Sequence, residues 1–171
     1  MTEAIYYCKS WSSHGKRPQS PLGPDEARAR HDRGDEYTVL IGDPMRPRAY
    51  IETLLSRNYV CCTFLDEHLR PKTYCIFTAE AAERLFLAQS MTRRFKDETD
   101  EVIFAWSLKL SQDGQVVAVE SDLLAGTRSI GTGQFKVDSF YIDRPAFGHY
   151  DDILKFGPGG QFHPNLDLPK A

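Results

Sequence analysis

The sequence contains no long apolar run. Nothing in it approaches the eighteen consecutive apolar residues that a membrane-spanning helix needs, so no membrane association is predicted. Its start carries the acidic Glu3 and no basic segment followed by an apolar run, so no secretory signal is expected. With 171 residues, of which 41% are hydrophobic and 26% charged, the chain is typical of one globular domain, 1–171, in the cytoplasm.

The spacing of the cysteines is not that of a disulfide scaffold. The four cysteines are Cys8, Cys61, Cys62 and Cys75, two of which are adjacent within a strand-like run. Such thiols are expected to be reduced and buried. A nucleophilic cysteine needs a neighbouring base. The candidate base is His68, which lies in the loop that follows Cys61 and Cys62, too far from mid-strand thiols to activate them.

Motifs for metals and nucleotides are also missing. The sequence has no C-x-x-C and no H-x-x-x-H, and the acidic and histidine clusters at 66–68 and 149–152 are typical of solvated turns. The glycine-rich segment 126–133 lacks the Lys-Ser/Thr pair of a P-loop and precedes a strand-like run rather than a helix. It is predicted to be a loop between strands. No metal and no cofactor is predicted.

The clearest positive signal is a β-hairpin over 101–122. Asp113-Gly114 is typical of a two-residue type I′ turn, which places Leu110 opposite Val117 and Leu108 opposite Val119. Phe104 and Trp106 extend this apolar face, and the other face carries Ser107, Lys109, Ala118 and Glu120. Because one face is apolar, the sequence predicts a half-buried antiparallel sheet.

The remaining pattern predicts an α+β fold, a mainly antiparallel sheet built from hairpins with two principal helices packed on one face. Helices are predicted at 47–57 and 79–95, with a shorter one within 143–156. Strands are predicted at 3–9, 36–42, 59–65, 73–78 and 134–142. An irregular polar excursion is predicted at 10–36, with one or two helical turns after Pro24, and an irregular tail at 157–171.

Charge divides the chain unevenly. The net charge is −3, but residues 1–96 sum to +3 and residues 97–171 to −6. An acidic second half argues against nucleic acid as a partner there and favours a basic partner. The densest acidic run consists of Asp97, Glu98, Asp100 and Glu101.

This charge pattern, without a catalytic set, favours a protein-binding role. The predicted function is that of an immunity or antitoxin protein, which neutralises a basic toxin or enzyme by covering its active site with an acidic face. Aromatic side chains are expected to anchor the contact. The predicted contact residues are Asp97, Glu98, Asp100, Glu101, Phe147, Tyr150, Asp151 and Asp152.

Other functions remain open from the sequence. An enzyme acting on a nucleotide or nucleic acid would use Arg128 and the glycine-rich segment for phosphate, with His149 or His68 as general base. A pocket between sheet and helices would bind a small ligand. A further alternative is a basic and aromatic surface for single-stranded nucleic acid, formed by Arg46, Arg48, Arg57, Arg70 and Lys72 with Tyr50, Tyr59 and Tyr74.

Overall fold

The computed structural model describes residues 3–79 and 84–158. These residues form eleven strands of one sheet, helix α1 (Pro24–Arg33) and the short helix α2 (Asp151–Leu154). The strands are β1 (Ile5–Ser12), β2 (Arg17–Leu22), β3 (Tyr37–Asp43), β4 (Arg46–Leu54), β5 (Tyr59–Leu65), β6 (Pro71–Thr78), β7 (Arg84–Phe95), β8 (Val102–Leu110), β9 (Gln115–Asp122), β10 (Thr127–Gln134) and β11 (Tyr141–Asp143). Among the described residues, no helix is long and apolar enough to cross a membrane.

The sheet is antiparallel, and its order follows the chain. From one edge to the other it runs β10-β9-β8-β7-β6-β5-β4-β3-β1-β2, and β11 pairs with the first residues of β7. Consecutive strands are therefore joined mostly by hairpins. In the described part of the chain α1 is the only helix of seven or more residues, so the predicted α+β class with two principal helices on one face is wrong.

The segment predicted as a helix at 47–57 is strand β4, followed by a 3₁₀ turn at Leu55–Arg57. Ala49, Tyr50 and Ile51 are all buried, because Ala49 and Ile51 face the main core while Tyr50 is covered from the opposite side. Burial on both faces removes the apolar–polar alternation by which a strand is recognised in sequence.

The segment predicted as a helix at 79–95 contains β7; residues 80–83 lie outside the described residues. Its ladder with β6 pairs Ile76 with Gln89 and Phe77 with Leu87, which leaves Ala88 as an extra residue. This bulge shifts the alternation by one position. The apolar residues before and after it consequently fall at a spacing that resembles a helical stripe.

The stretch predicted as an irregular excursion at 10–36 contains the end of β1, all of β2 and α1. Pro24 occupies the first turn of α1, Asp25 and Glu26 follow it, and Gly34 ends the helix in a left-handed conformation. The helical turns expected after Pro24 are thus a full helix. Only Ala27 of α1 is buried, so the helix contributes little to the core.

The hairpin of β8 and β9 is present, but its register differs from the prediction by one residue. Leu110 pairs with Val116 and Leu108 with Ala118. Ser111 N donates to Gln115 O over 2.9 Å, so the turn holds three residues rather than two. The left-handed Gly114 (φ +88°) is its last residue.

The glycine-rich segment predicted as a loop is strand β10, which pairs with β9 from Thr127 to Gln134. The strand predicted at 134–142 is instead a 3₁₀ turn (Val137–Phe140) and the short β11. The short helix expected within 143–156 is α2. Most of the predicted tail, residues 159–171, lies outside the described residues.

Buried side chains form two clusters on opposite faces of the sheet. The larger one covers the inner face and includes Val39, Ile51, Phe77 and Leu108, closed over by the segment that contains α2. The smaller cluster lies on the outer face of β3–β5. Its members are Cys8, Trp11, Leu40 and Tyr50.

Candidate functional site

The outer face of the sheet has a covered half and an open half. Over β3–β5 it is covered by the β1–β2 hairpin, where Trp11 stacks on Tyr50 with ring centroids 5.8 Å apart. The tip of this hairpin reaches the β7–β8 turn, where Lys16 Nζ lies 3.0 Å from Asp100 Oδ1. Over β6–β10, no described residue covers the outer face, and its side chains are half-buried or exposed.

Four cations lie on the open half, in two rows that cross the strands. Ser121 pairs with both Ala105 and Arg128, and Ala105 pairs with Arg93, so Arg93 and Arg128 share a row. Lys72 precedes the Thr73–Thr92 pair and falls in the same row. Lys109, paired with Gln89 and Val117, lies in a second row.

An apolar row separates the two cationic rows. It runs from Tyr74 on β6 through Met91, Ser107 and Val119 to Ile130 on β10. Ile130 is 51% exposed, and Val117 in the adjacent row is 39% exposed. We call this surface the basic outer face; its residues are Lys72, Tyr74, Met91, Arg93, Ser107, Lys109, Val117, Val119, Arg128 and Ile130.

The charged side chains of the basic outer face are all cations. Alternation along the strands directs Glu120 and Asp122 to the inner side, so no carboxylate of the described residues lies on the basic outer face. None of its four cations forms an ion pair within the described residues. The Arg93 guanidinium lies 5.5 Å from the ring of Tyr74, whose hydroxyl accepts a hydrogen bond from Gln89. The surface therefore has the chemistry of a site for an anionic, partly apolar molecule.

The acidic run predicted as a contact surface lies in the turn between β7 and β8. Asp97, Glu98, Asp100 and Glu101 are all exposed. Asp100 is paired with Lys16 and Glu101 with Lys96. This leaves two of the four carboxylates without an ion pair in the described part of the chain.

The buried Arg70 forms hydrogen bonds with the turn between β7 and β8 that carries the acidic run, which we call the acidic turn. Its Nη1 donates to the carbonyl oxygens of Asp97, at 2.7 Å, and Thr99. Its Nε donates to Asp66 over 2.7 Å. Burial alone would raise the pKa of Asp66, but hydrogen bonds from Arg70 and His68 more than offset this effect and lower it.

The two aromatic residues predicted as anchors lie elsewhere. Tyr150 is only 2% exposed, and its hydroxyl lies 3.1 Å from that of Tyr37, so it belongs to the core and is not a surface anchor. Phe147 is half-buried; its ring stacks on Tyr7 at 5.0 Å and has the Arg28 guanidinium 4.5 Å from its centre. Burial raises the pKa values of all three tyrosines.

The last two predicted contact residues, Asp151 and Asp152, are exposed on α2. Asp152 is paired with Lys155 and lines a depression of about 400 Å³ beside β7 and β11. Asp151 lines a different depression of about 420 Å³, together with Glu3 and His149. No ion pair or hydrogen bond of the described residues links α2 with the acidic turn.

The residues of the enzymatic alternative lie on three separate elements. Arg128 is on the outer side of β10, His68 is in the turn between β5 and β6, and His149 lies just before α2. β6 and β10 are four strands apart in the sheet. The structure therefore does not bring a phosphate-binding arginine and a histidine base together.

The thiols and metal-ligating groups offer no alternative site. All four cysteines are free and buried, and burial raises the pKa of Cys8 to about 11 and of Cys75 to about 12. Thiols of this kind are poor nucleophiles at neutral pH. Within the described residues, no group of three or more histidine, cysteine or acidic side chains is placed to hold a metal ion.

The basic and aromatic surface considered from sequence does not form as expected. Arg70 is buried, Arg48 is paired with Glu3, and Tyr50 lies beneath Trp11. Of the residues expected there, only Lys72 and Tyr74 belong to the basic outer face. Arg93 and Arg128 were missed because β7 and β10 were not recognised as strands. Lys109 was placed on the non-apolar face of the hairpin from the sequence, but it was not connected with these cations.

Compared with known proteins, the chain matches no family model, no curated protein and no solved structure.

Proposed function

We propose that the protein binds an acidic, amphipathic segment of a partner protein on its basic outer face. One observation carries this proposal. Four cations flank an apolar row on a part of the sheet that no described residue covers, and no carboxylate of the described residues lies among them. Like the function predicted from the sequence, this is a protein-binding role. The sequence predicted a basic partner, whereas the proposed partner is acidic.

The dimensions of the basic outer face fit a short amphipathic helix. Its apolar row crosses five strands, and a strand spacing of about 4.8 Å gives a length of about 19 Å. A helix of about 13 residues has this length. The cationic rows lie two residues along the strands from the apolar row, about 7 Å to either side. A helix with an apolar stripe flanked by Asp and Glu would place both kinds of side chain against matching groups.

The same features disfavour single-stranded nucleic acid as the occupant. Stacking of bases needs open aromatic faces. Tyr74 is the only aromatic residue of the basic outer face, and the Arg93 guanidinium lies over its ring. The row beyond Tyr74 contains Met91, Val119 and Ile130, which suit aliphatic side chains better than bases.

The test is the binding of a fluorescent helical peptide of about 13 residues that carries a leucine stripe flanked by glutamates, measured by anisotropy. Arg128→Glu and Lys109→Glu are expected to weaken binding several-fold each, because they place carboxylates in both cationic rows. Arg57→Glu is the matched control; Arg57 is equally exposed but lies in the 3₁₀ turn after β4. It is expected to leave affinity unchanged.

Three outcomes would overturn the proposal. The first is equal binding of a peptide in which lysines replace the glutamates. The second is tighter binding of an oligothymidylate that is lost in the same two variants, which would make the surface a nucleic-acid site. The third is loss of peptide binding in Glu98→Lys alone, which would return the contact to the acidic turn.

A further inference from the structure

The two edge strands of the sheet, β2 and β10, differ in how well they are protected against pairing with a further strand. The edge strand β2 contains Pro18 and Pro21, which have no N–H to donate, and Ser20 adopts a left-handed conformation with φ +49°. Prolines and irregular backbone of this kind block the addition of further strands. β10 has no proline, and its eight residues pair with β9 without a register shift. It is an unprotected edge among the described residues.

The direction of the β10 backbone groups follows from one hydrogen bond. Phe135 N donates to Gly114 O over 2.8 Å, so these opposing residues form a hydrogen-bonded pair. Such pairs alternate along an antiparallel ladder, and Gly131–Ala118 and Gly133–Val116 are therefore hydrogen-bonded pairs too. The backbone groups at the intervening positions point away from β9, towards the free edge. These positions are Arg128, Ile130, Thr132 and Gln134.

Exposed apolar surface is concentrated beside this edge. Of the six large hydrophobic side chains that are exposed among the described residues, four belong to the β9–β10 hairpin. They are Val117, Leu123, Leu124 and Ile130, and the two leucines are 56% and 68% exposed. Apolar surface next to an open strand edge is typical of an interface rather than of a solvated rim.

We propose that β10 pairs antiparallel with β10 of a second copy of this chain, about a two-fold axis midway between the two Gly131 residues. Arg128 then lies opposite Gln134 of the second copy, and Ile130 opposite Thr132. This register makes every outward backbone group of β10 face an outward group of the other strand. Self-pairing is compatible with charge, because Arg128 is the only charged residue of β10 and does not oppose itself.

The pairing would be isologous and closed, since both copies use the same strand. It extends the sheet without turning it over, so the outer faces of both copies lie on one side. This dimer does not depend on the function proposed above: the basic outer face can bind its peptide in a monomer, and β10 can pair without any peptide.

The first test is the mass of the full chain in solution, measured by light scattering during gel filtration over a range of concentrations. We expect a species of twice the 19.5 kDa of the chain. Thr132→Pro removes an outward N–H and spares the bonds to β9, so it is expected to give a folded monomer by circular dichroism. A wild-type chain that stays monomeric at all concentrations overturns the proposal.

A matched pair of variants at Gln134 tests the register. Both Gln134→Glu and Gln134→Arg lose the side-chain amide that donates to Asp113 O. Only the first places an opposite charge across from Arg128, so it should tighten the dimer several-fold, and the second should weaken it several-fold. Both effects should shrink at high salt. A dimer that responds equally to both variants, or that persists in Thr132→Pro, is held by another surface.

Discussion

Leu108 pairs with Ala118 across β8 and β9, and this pairing decides which side chains the outer face displays. It directs Ala118 into the inner core and leaves Val117 and Val119 on the outer side, beside Lys109. The basic outer face thus depends on a register that the three-residue turn ending at Gly114 sets. A shift by one residue would exchange the two faces of β9.

We expect Gly114→Ala to destabilise the protein by about 2 kcal/mol or more, because a left-handed alanine costs about 1–2 kcal/mol. Its Cβ would also lie 2.6 Å from Phe135 O. Gly126→Ala is the control; Gly126 also has a positive φ, +66°, but has open space around it. Urea unfolding measures both. Equal losses would show that the contact with Phe135 contributes nothing.

The hairpin itself was predictable, since Asp-Gly between two alternating runs is a strong local signal. Its register was not, because Asp113-Gly114 also fits a three-residue turn that ends in a left-handed glycine. Val116 and Ala118 on one side and Val117 and Val119 on the other are all apolar, so composition does not distinguish the faces. The site was missed for the same reason, since it lies on the side of β9 assigned to the core.

The ion pair of Arg70 and Asp66 gives a second prediction. The two side chains are 7% and 6% exposed, and Arg70 also donates to two carbonyl groups of the acidic turn. Arg70→Leu leaves Asp66 as an uncompensated buried charge and should cost about 3–5 kcal/mol. Urea unfolding gives the loss, and hydrogen exchange should show faster exchange of the Thr99 amide.

The control for this prediction is Lys16→Leu. Lys16 is also paired with a carboxylate near the turn, that of Asp100, but its side chain is 33% exposed and that of Asp100 is 68% exposed. Exposed pairs contribute about 0–1 kcal/mol. If Arg70→Leu costs no more than Lys16→Leu, the buried pair does not hold the turn.

Helix α1 was recognisable because its end signals are local: Pro24 and two acidic residues at the start, and Gly34 at the end. β4 and β7 were not, because their patterns depend on distant contacts. Tyr50 is buried in a cluster with Cys8 and Trp11, which lie on a strand distant in sequence, and Trp11 stacks on its ring. Single-sequence periodicity carries no information about such coverage.

The burial of His31 should make the free energy of unfolding depend on pH. Burial lowers the pKa of this side chain, and the nearby Arg144 and Arg28 add to the effect, while Asp32 opposes it. Its Nδ1 lies 2.8 Å from the hydroxyl of the buried Tyr37, and Phe147 packs against its ring edge to face at 5.7 Å. A lowered pKa means that the unfolded chain binds a proton more readily than the folded one. Stability is therefore complete above the unfolded value of 6.5 and is lost as the pH falls through the folded pKa.

We expect His31→Gln to flatten the fall in unfolding free energy between about pH 7 and pH 5, where histidines titrate. One proton contributes a slope of at most about 1.4 kcal/mol per pH unit. His149→Gln, which changes an exposed histidine away from Tyr37, is the matched control variant. Urea unfolding at several pH values measures all three proteins. If the unfolding free energy of wild type and of His31→Gln falls with pH at the same slope, His31 titrates alike in the folded and the unfolded chain. Its burial beside Tyr37 then has no energetic consequence.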